Sequence, residues 1–179
     1  MTNGERSFRV TFLLMDSDSL KNIAAESSRL EEDALFSARS HFEAARSWSS
    51  LNLWLGVPTA LCAGISGVAI LGDFPIIAGV LSILAAALAS VSTFLNAPER
   101  SAAHHAAGTR FNGLRNRTRI FRDVEVAVAP DAKACMATLK TLSDERDSLN
   151  QSSPQIPRRS FEGARIGIES GEASYRIDA

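Results

Sequence analysis

The sequence predicts an all-α membrane protein: a two-helix transmembrane hairpin with long cytoplasmic helices before and after it. Three observations predict this. Residues 51–71 and 76–95 form two runs of about twenty residues without Asp, Glu, Lys, Arg or His, joined only by Gly72, Asp73, Phe74 and Pro75. Lys and Arg are missing from that connection and gather on both flanks. The flanks themselves carry apolar residues at three- and four-residue spacing, the mark of helices with one buried face.

The hairpin follows from length. At 1.5 Å per residue, twenty helical residues span roughly 30 Å, the thickness of a bilayer hydrocarbon core. Gly72 and Pro75 suit the end of one helix and the start of the next. The competing reading buries the hairpin inside a soluble bundle. That reading is disfavoured because a buried helix of a small soluble protein normally keeps one charged edge toward water.

The chain has 179 residues and a net charge of −1, an average that conceals the segregation of apolar and charged stretches. The N-terminus has no signal-peptide pattern, since the apolar run at 12–15 is too short. The first long apolar run is therefore expected to act as an uncleaved internal anchor. Arg39 and Arg46 precede the hairpin, and Arg100, Arg110, Arg115, Arg117, Arg119 and Arg122 follow it. This juxtamembrane basic set predicts that both termini are cytoplasmic and that the protein crosses the membrane twice. Near the membrane such residues also attract anionic lipid. Trp48, Trp54 and Phe74 fall near the predicted interfaces, where aromatic rings are favoured.

Four regions follow: an N-terminal arm and cytoplasmic helix (1–50), the transmembrane hairpin (51–95), a cytoplasmic helical region (96–150), and a linker with a helical tail (151–179). In the arm, Phe8, Val10 and Phe12 alternate with Arg9 and Thr11. This suits a short extended segment, with a disordered arm or a first helical turn as alternatives. Asp16 to Ser19 form a cluster of N-cap residues. A helix over 17–48 is predicted from the spacing of Leu20, Ile23, Ser27, Leu30, Ala34, Ser37, His41 and Ala44. Pro98 suits the first turn of a helix over 98–128, carried by His104, Ala107, Phe111, Leu114, Thr118 and Phe121. Pro130 is expected to end it and Asp131 to cap a helix reaching about residue 149. The stretch 150–157 reads as a linker, and 158–169 as a short helix stopped by Gly171. The helices around the hairpin are expected to bury their stripes together as a small bundle.

No chemistry of catalysis is legible. No phosphate loop, dinucleotide-binding glycine pattern or activated serine is present, so the protein is predicted not to be an enzyme and to need no cofactor or metal. His104 and His105 point about 100° apart on a helix and do not form a metal-binding pair. Together with His41 they read as surface or packing residues, with pH sensing as the functional alternative. Cys62 and Cys135 share no metal or redox spacing and read as small apolar residues. The arginine-rich stretch 115–122 is assigned to topology and lipid, with packing or oligomer salt bridges as the alternative, rather than to nucleic acid.

The texture of the apolar runs carries the functional signal. Gly56, Ala60 and Gly64, with Gly67 beside them, place small residues at helical spacing; Ala78 and Ala86 do the same in the second run. Such residues let membrane helices approach closely. The contact they serve lies either within one hairpin or between hairpins of several protomers. Ser82, Ser90 and Thr93 make a polar stripe and are the candidate pore-lining residues, although hydroxyls also bond their own helix backbone. Pro58 is a candidate hinge, with an ordinary kink or a helix start as the alternatives.

A long helix leads through SHFEAARSWSSLNLWLGVP into the first run, and STFLNAPERSAAHHAAGTRFNGLRNRTR follows the second. The tail RRSFEGARIGIESGEASYRIDA closes with a helix followed by Gly, Tyr and Asp. In the order of these features, over roughly residues 20–179, the chain resembles the SLATT family, two-transmembrane effector domains associated with SMODS nucleotide synthases and SLOG sensors. The resemblance implies an oligomeric effector that forms a pore in the bacterial inner membrane and permeabilises the cell in an anti-phage conflict system. The implied partners are the lipid bilayer, further copies of the chain, and a separate nucleotide synthase or sensor protein that triggers it. The rival expectation is a non-conducting membrane anchor or scaffold whose cytoplasmic helices recruit a signalling partner.

Overall fold

The computed structural model describes the backbone of residues 3–129 and 131–173, and side chains within these from Asp18 onward. The described chain is helical throughout, without a strand. In order come α1 (Asn3–Leu71), α2 (Pro75–Leu95), α3 (Ala97–Ile120), a π-helical turn (Phe121–Glu125), the short α4 (Val126–Val128), α5 (Ala132–Ser152) and α6 (Arg158–Glu169). Two stretches, one in α1 and one beginning at Pro75, are long and apolar enough to cross a membrane.

α1 continues into the first apolar run as expected, but it begins at Asn3 rather than near residue 17. The backbone is helical from Asn3, so the extended arm gives way to helix, and residues 16–19 lie within the helix rather than at its start. N-cap residues start a helix only where the backbone at the cap leaves the helical region. Between Asn3 and Leu71 the only proline is Pro58, and the helix runs through that as well, so Pro58 is not a helix start.

α2 folds back along α1 through a tight connection. The amides of Gly72, Asp73 and Phe74 bond the carbonyls of Val68, Ile70 and Ala69, closing α1. Asp73, at φ 58, takes the left-handed conformation in this connection. Aspartate tolerates this conformation better than most side chains. Pro75 starts α2 as predicted. The α1–α2 seam repeats every three and four residues, with Leu55, Thr59, Cys62, Ser66 and Ala69 facing Ala78, Leu81, Ala85, Leu88, Ser92 and Leu95. That spacing makes near-parallel helices interlock over a long contact.

Asn96, again left-handed at φ 47, separates α2 from α3, which starts one residue before Pro98. α3 packs along the polar half of α1. Ile23, Leu30, Ala34 and Ala38 meet Phe111, Leu114 and Phe121, and α5 closes this core with Cys135, Leu139, Leu142 and Leu149. The predicted single helix over 98–128 instead carries a π-turn at Phe121–Glu125, where the Val126 amide bonds the Phe121 carbonyl. The extra residue in this turn keeps both Phe121 and Val126 in the core. Pro130 lies outside the described residues. Asp131 caps α5 as predicted, its carboxylate accepting from the Ala134 amide at 2.9 Å. α5 extends to Ser152, so the linker shortens to 153–157, and α6 occupies the predicted 158–169. Tyr175 of the tail lies outside the described residues.

Burial divides the molecule. Of the 22 large hydrophobic side chains exposed among the described residues, 16 lie between Leu53 and Phe94. Monomeric soluble proteins rarely expose so many large apolar side chains in one region.

The polar bundle also contains a linked charge cluster. Glu31 of α1 accepts from Arg122, and its other oxygen lies 3.8 Å from Arg115. The Glu31 and Arg115 side chains are only 14% and 11% exposed, so this pairing is much less screened than a surface ion pair. Replacing Glu31 by Ala removes the carboxylate shared by two guanidinium groups and is expected to cost about 2 kcal/mol, between the surface and fully buried cases. Thermal unfolding of the full chain in micelles measures this. An unchanged midpoint would show that solvent compensates both arginines.

Candidate functional site

The residues singled out by sequence separate into three places. The first is the outer face of the apolar hairpin. Gly56, Ala60, Gly64 and Gly67 are exposed, and a Cβ added at Gly56, Gly64 or Gly67 would meet nothing within 4 Å. These small residues therefore make no close contact inside the hairpin. Ala78 does the opposite, sitting buried in the α1–α2 seam, while Ala86 is exposed. Pro58 lies partly buried beside that seam.

The second place is the polar stripe of α2, whose members do not act alike. The Ser82 hydroxyl lies 2.7 Å from that of Ser66, and Ser66 also donates to the Ala78 carbonyl at 2.9 Å. These bonds tie α1 to α2 across their seam. Ser90 and Thr93 donate to the carbonyls of Ala86 and Ala89 on their own helix. All three hydroxyls thus have partners within the protomer, which lowers the cost of holding them in an apolar medium. Ser66 is not among the residues expected to matter from sequence; its four- and three-residue spacing from Cys62 and Ala69 is the signal that places it in the seam.

The third place is the junction below the hairpin, where α1 meets α3. His41 and His104 are both buried, with their Nδ1 atoms 3.0 Å apart. The His41 ring stacks on Phe111 at 5.5 Å. His105 points elsewhere and meets the edge of Phe42. One Nδ1 must carry a proton and the other a lone pair, so the pair is satisfied as two neutral rings. Burial, followed by the neighbouring His104, pushes the His41 pKa down to about 4; burial also lowers that of His104. Spacing along the chain cannot bring these rings together, because they are 63 residues apart.

The six arginines assigned to the membrane flank divide along α3. Arg100 lies within the first turn, over the Trp48 ring at 5.0 Å. Arg115, Arg117, Arg119 and Arg122 follow 15 to 22 residues later, which at 1.5 Å per residue is roughly 20–35 Å farther from the hairpin. Arg115 and Arg122 face Glu31, and Arg117 pairs with Glu145 of α5. Arg119 adds to the positive field at Asp123, whose carboxyl is held below its usual range, chiefly by a hydrogen bond from Arg122. This distal group is thus built into the bundle rather than placed beside the apolar segment. Arg110 lies between and is exposed.

No cluster of three or more His, Cys, Asp or Glu able to hold a metal occurs among the described residues. Comparison with family models, curated proteins and solved structures found no match to this chain.

Proposed function

We propose that this chain is an oligomeric two-transmembrane effector that permeabilises the bacterial inner membrane, with both termini and the polar bundle in the cytoplasm. The observation that carries this reading is the position of the small residues. Gly56, Ala60, Gly64 and Gly67 lie outside the seam that closes the hairpin. In lipid, close backbone approach is a main source of helix association, and a glycine face unused within the protomer is suited to a second hairpin. The long α1 continues from this face into the polar bundle, so a rearrangement of that bundle reaches the membrane segment without a flexible joint. A separate nucleotide synthase or sensor protein supplies the trigger, and the chain performs no catalysis itself.

A second reading is favoured by the inward bonding of Ser66 and Ser82 and the self-capping of Ser90 and Thr93. Hydroxyls already partnered need no water-filled pore, which suits a non-conducting anchor whose polar bundle recruits a signalling protein. Dye release from liposomes containing the full chain separates the two. The effector reading expects release that Gly64→Leu lowers at least tenfold while insertion persists. Absence of release under every trigger, with the chain resistant to carbonate extraction, would sink the effector reading and leave the anchor.

A further inference from the structure

We propose that a cavity at the junction of α1, α3 and the α5–α6 connection binds the phosphate of an anionic phospholipid headgroup. The cavity measures about 290 Å³ and is bounded by Trp48, Arg100, His104 and Gln155, with Pro154 and Pro157 among its apolar walls. The inference rests on the membrane reading above and adds to it a specific lipid ligand.

Its level along the molecule is the first argument. Trp48 lies three residues before the first apolar run, and Arg100 five residues after the second. At 1.5 Å per residue these are about 5 and 8 Å beyond the apolar ends. The polar layer on each side of the hydrocarbon core is about 5–8 Å thick. In an inserted hairpin both side chains therefore sit among the headgroups of the adjoining leaflet.

The state of Arg100 is the second argument. Arg46, Arg115, Arg117 and Arg122 all face carboxylates, whereas no carboxylate pairs with Arg100 among the described residues. Its Nε donates to the Leu95 carbonyl at 3.0 Å and its guanidinium lies over the Trp48 indole. Together these hold the plane of the group and leave its two terminal nitrogens as charged donors. An arginine pre-positioned in this way loses little freedom on binding a phosphate.

His104 completes the chemistry. Its Nδ1 is engaged with His41, so Nε2 is the polar atom it retains for the cavity that it lines. An anion bound there selects the tautomer in which His41 donates from Nδ1 and His104 carries its proton on Nε2. The apolar walls favour an amphiphile over a free ion, since they can cover glycerol and the first methylenes of the chains.

The test is lipid retention by the full chain, purified from vesicles of equal phosphatidylglycerol and phosphatidylcholine and measured by native mass spectrometry. The wild type is expected to retain phosphatidylglycerol preferentially. Arg100→Gln is expected to lower that preference about fivefold, the effect of one basic residue beside an anionic surface. Arg100→Lys restores most of it, and Arg110→Gln, roughly 15 Å farther along α3, leaves it unchanged. Equal loss in Arg100→Gln and Arg110→Gln, or no loss in either, would overturn the site. Displacement of the retained lipid by millimolar glycerol phosphate would reassign the cavity to a soluble anion and overturn the lipid assignment. Extraction of the wild type from vesicles by carbonate would instead overturn the membrane reading on which the site depends.

Discussion

Acidification from pH 7 to pH 4 is expected to weaken the polar bundle by about 3 kcal/mol through His41 alone, whose pKa falls from 6.5 to about 4 on folding. Because the folded pKa is the lower one, the unfolded chain binds more protons between these values. Stability from this group is therefore fully present above about pH 6.5 and is lost progressively as the pH falls toward 4. His104 shifts in the same direction through burial and adds to the loss. Arg100 lines the same cavity as His104, and the shifts come from burial and, for His41, from His104. A second proton destroys the Nδ1–Nδ1 hydrogen bond, because both nitrogens then carry hydrogen. The measurement is thermal unfolding of the full chain in micelles across pH 4–8, followed by Trp48 emission in a Trp54→Phe background. Replacing both histidines by Leu should flatten the profile, since removing both partners leaves no buried polar atom unsatisfied. A wild-type profile as flat as that of the double variant would show that the pair is already solvated.

Gly108→Leu is expected to separate α1 from α3 and to cost about 3 kcal/mol, the upper part of the range for overpacking a filled site. A Cβ at Gly108 would lie 2.9 Å from Cε1 of Phe42, 3.0 Å from its Cδ1, and 3.2 Å from the Ala38 carbonyl oxygen. The Phe42 ring can rotate, but the carbonyl belongs to the α1 backbone and moves only with the helix. Gly108→Ala should cost much less, since alanine regains about 1 kcal/mol of helix propensity. Gly64→Ala offers the contrast, because an added Cβ there meets no atom of the protomer. Unfolding midpoints in the order Gly64→Ala, Gly108→Ala, Gly108→Leu, from highest to lowest, would bear this out. A Gly108→Leu midpoint at the wild-type value would show that α1 and α3 are not held at this distance.

Several elements were readable because they depend on local chemistry. Asp131 caps α5 through its own side chain, Pro75 begins α2, and α6 occupies its predicted residues. The start of α1 was not readable, whereas its passage into the first apolar run was. Residues 16–19 resemble a helix start in isolation, yet nothing before them breaks the helix. The π-turn at Phe121 was invisible for a different reason: it serves the placement of Phe121 and Val126 in a core shared with distant α1 and α5.

The candidate sites divide in the same way. That residues 51–71 and 76–95 are apolar throughout, and that small side chains recur in them, is a property of the one-dimensional chain. Which of those side chains close the hairpin is not. Ala78 enters the seam, Gly56 and Gly64 face away, and Ser82 finds Ser66, all because the 3.5-residue repeat of the contact selects one stripe from several that the sequence offers equally. The sequence by itself determined the helical class and the two membrane-length segments, since both rest on length and hydropathy. Only the tertiary structure decided that His41 meets His104, that Glu31 meets Arg115 and Arg122, and that Arg100 lies beside Trp48 without a carboxylate partner among the described residues. Those contacts join residues dozens of positions apart, and their partners are set by helix packing rather than by spacing along the chain.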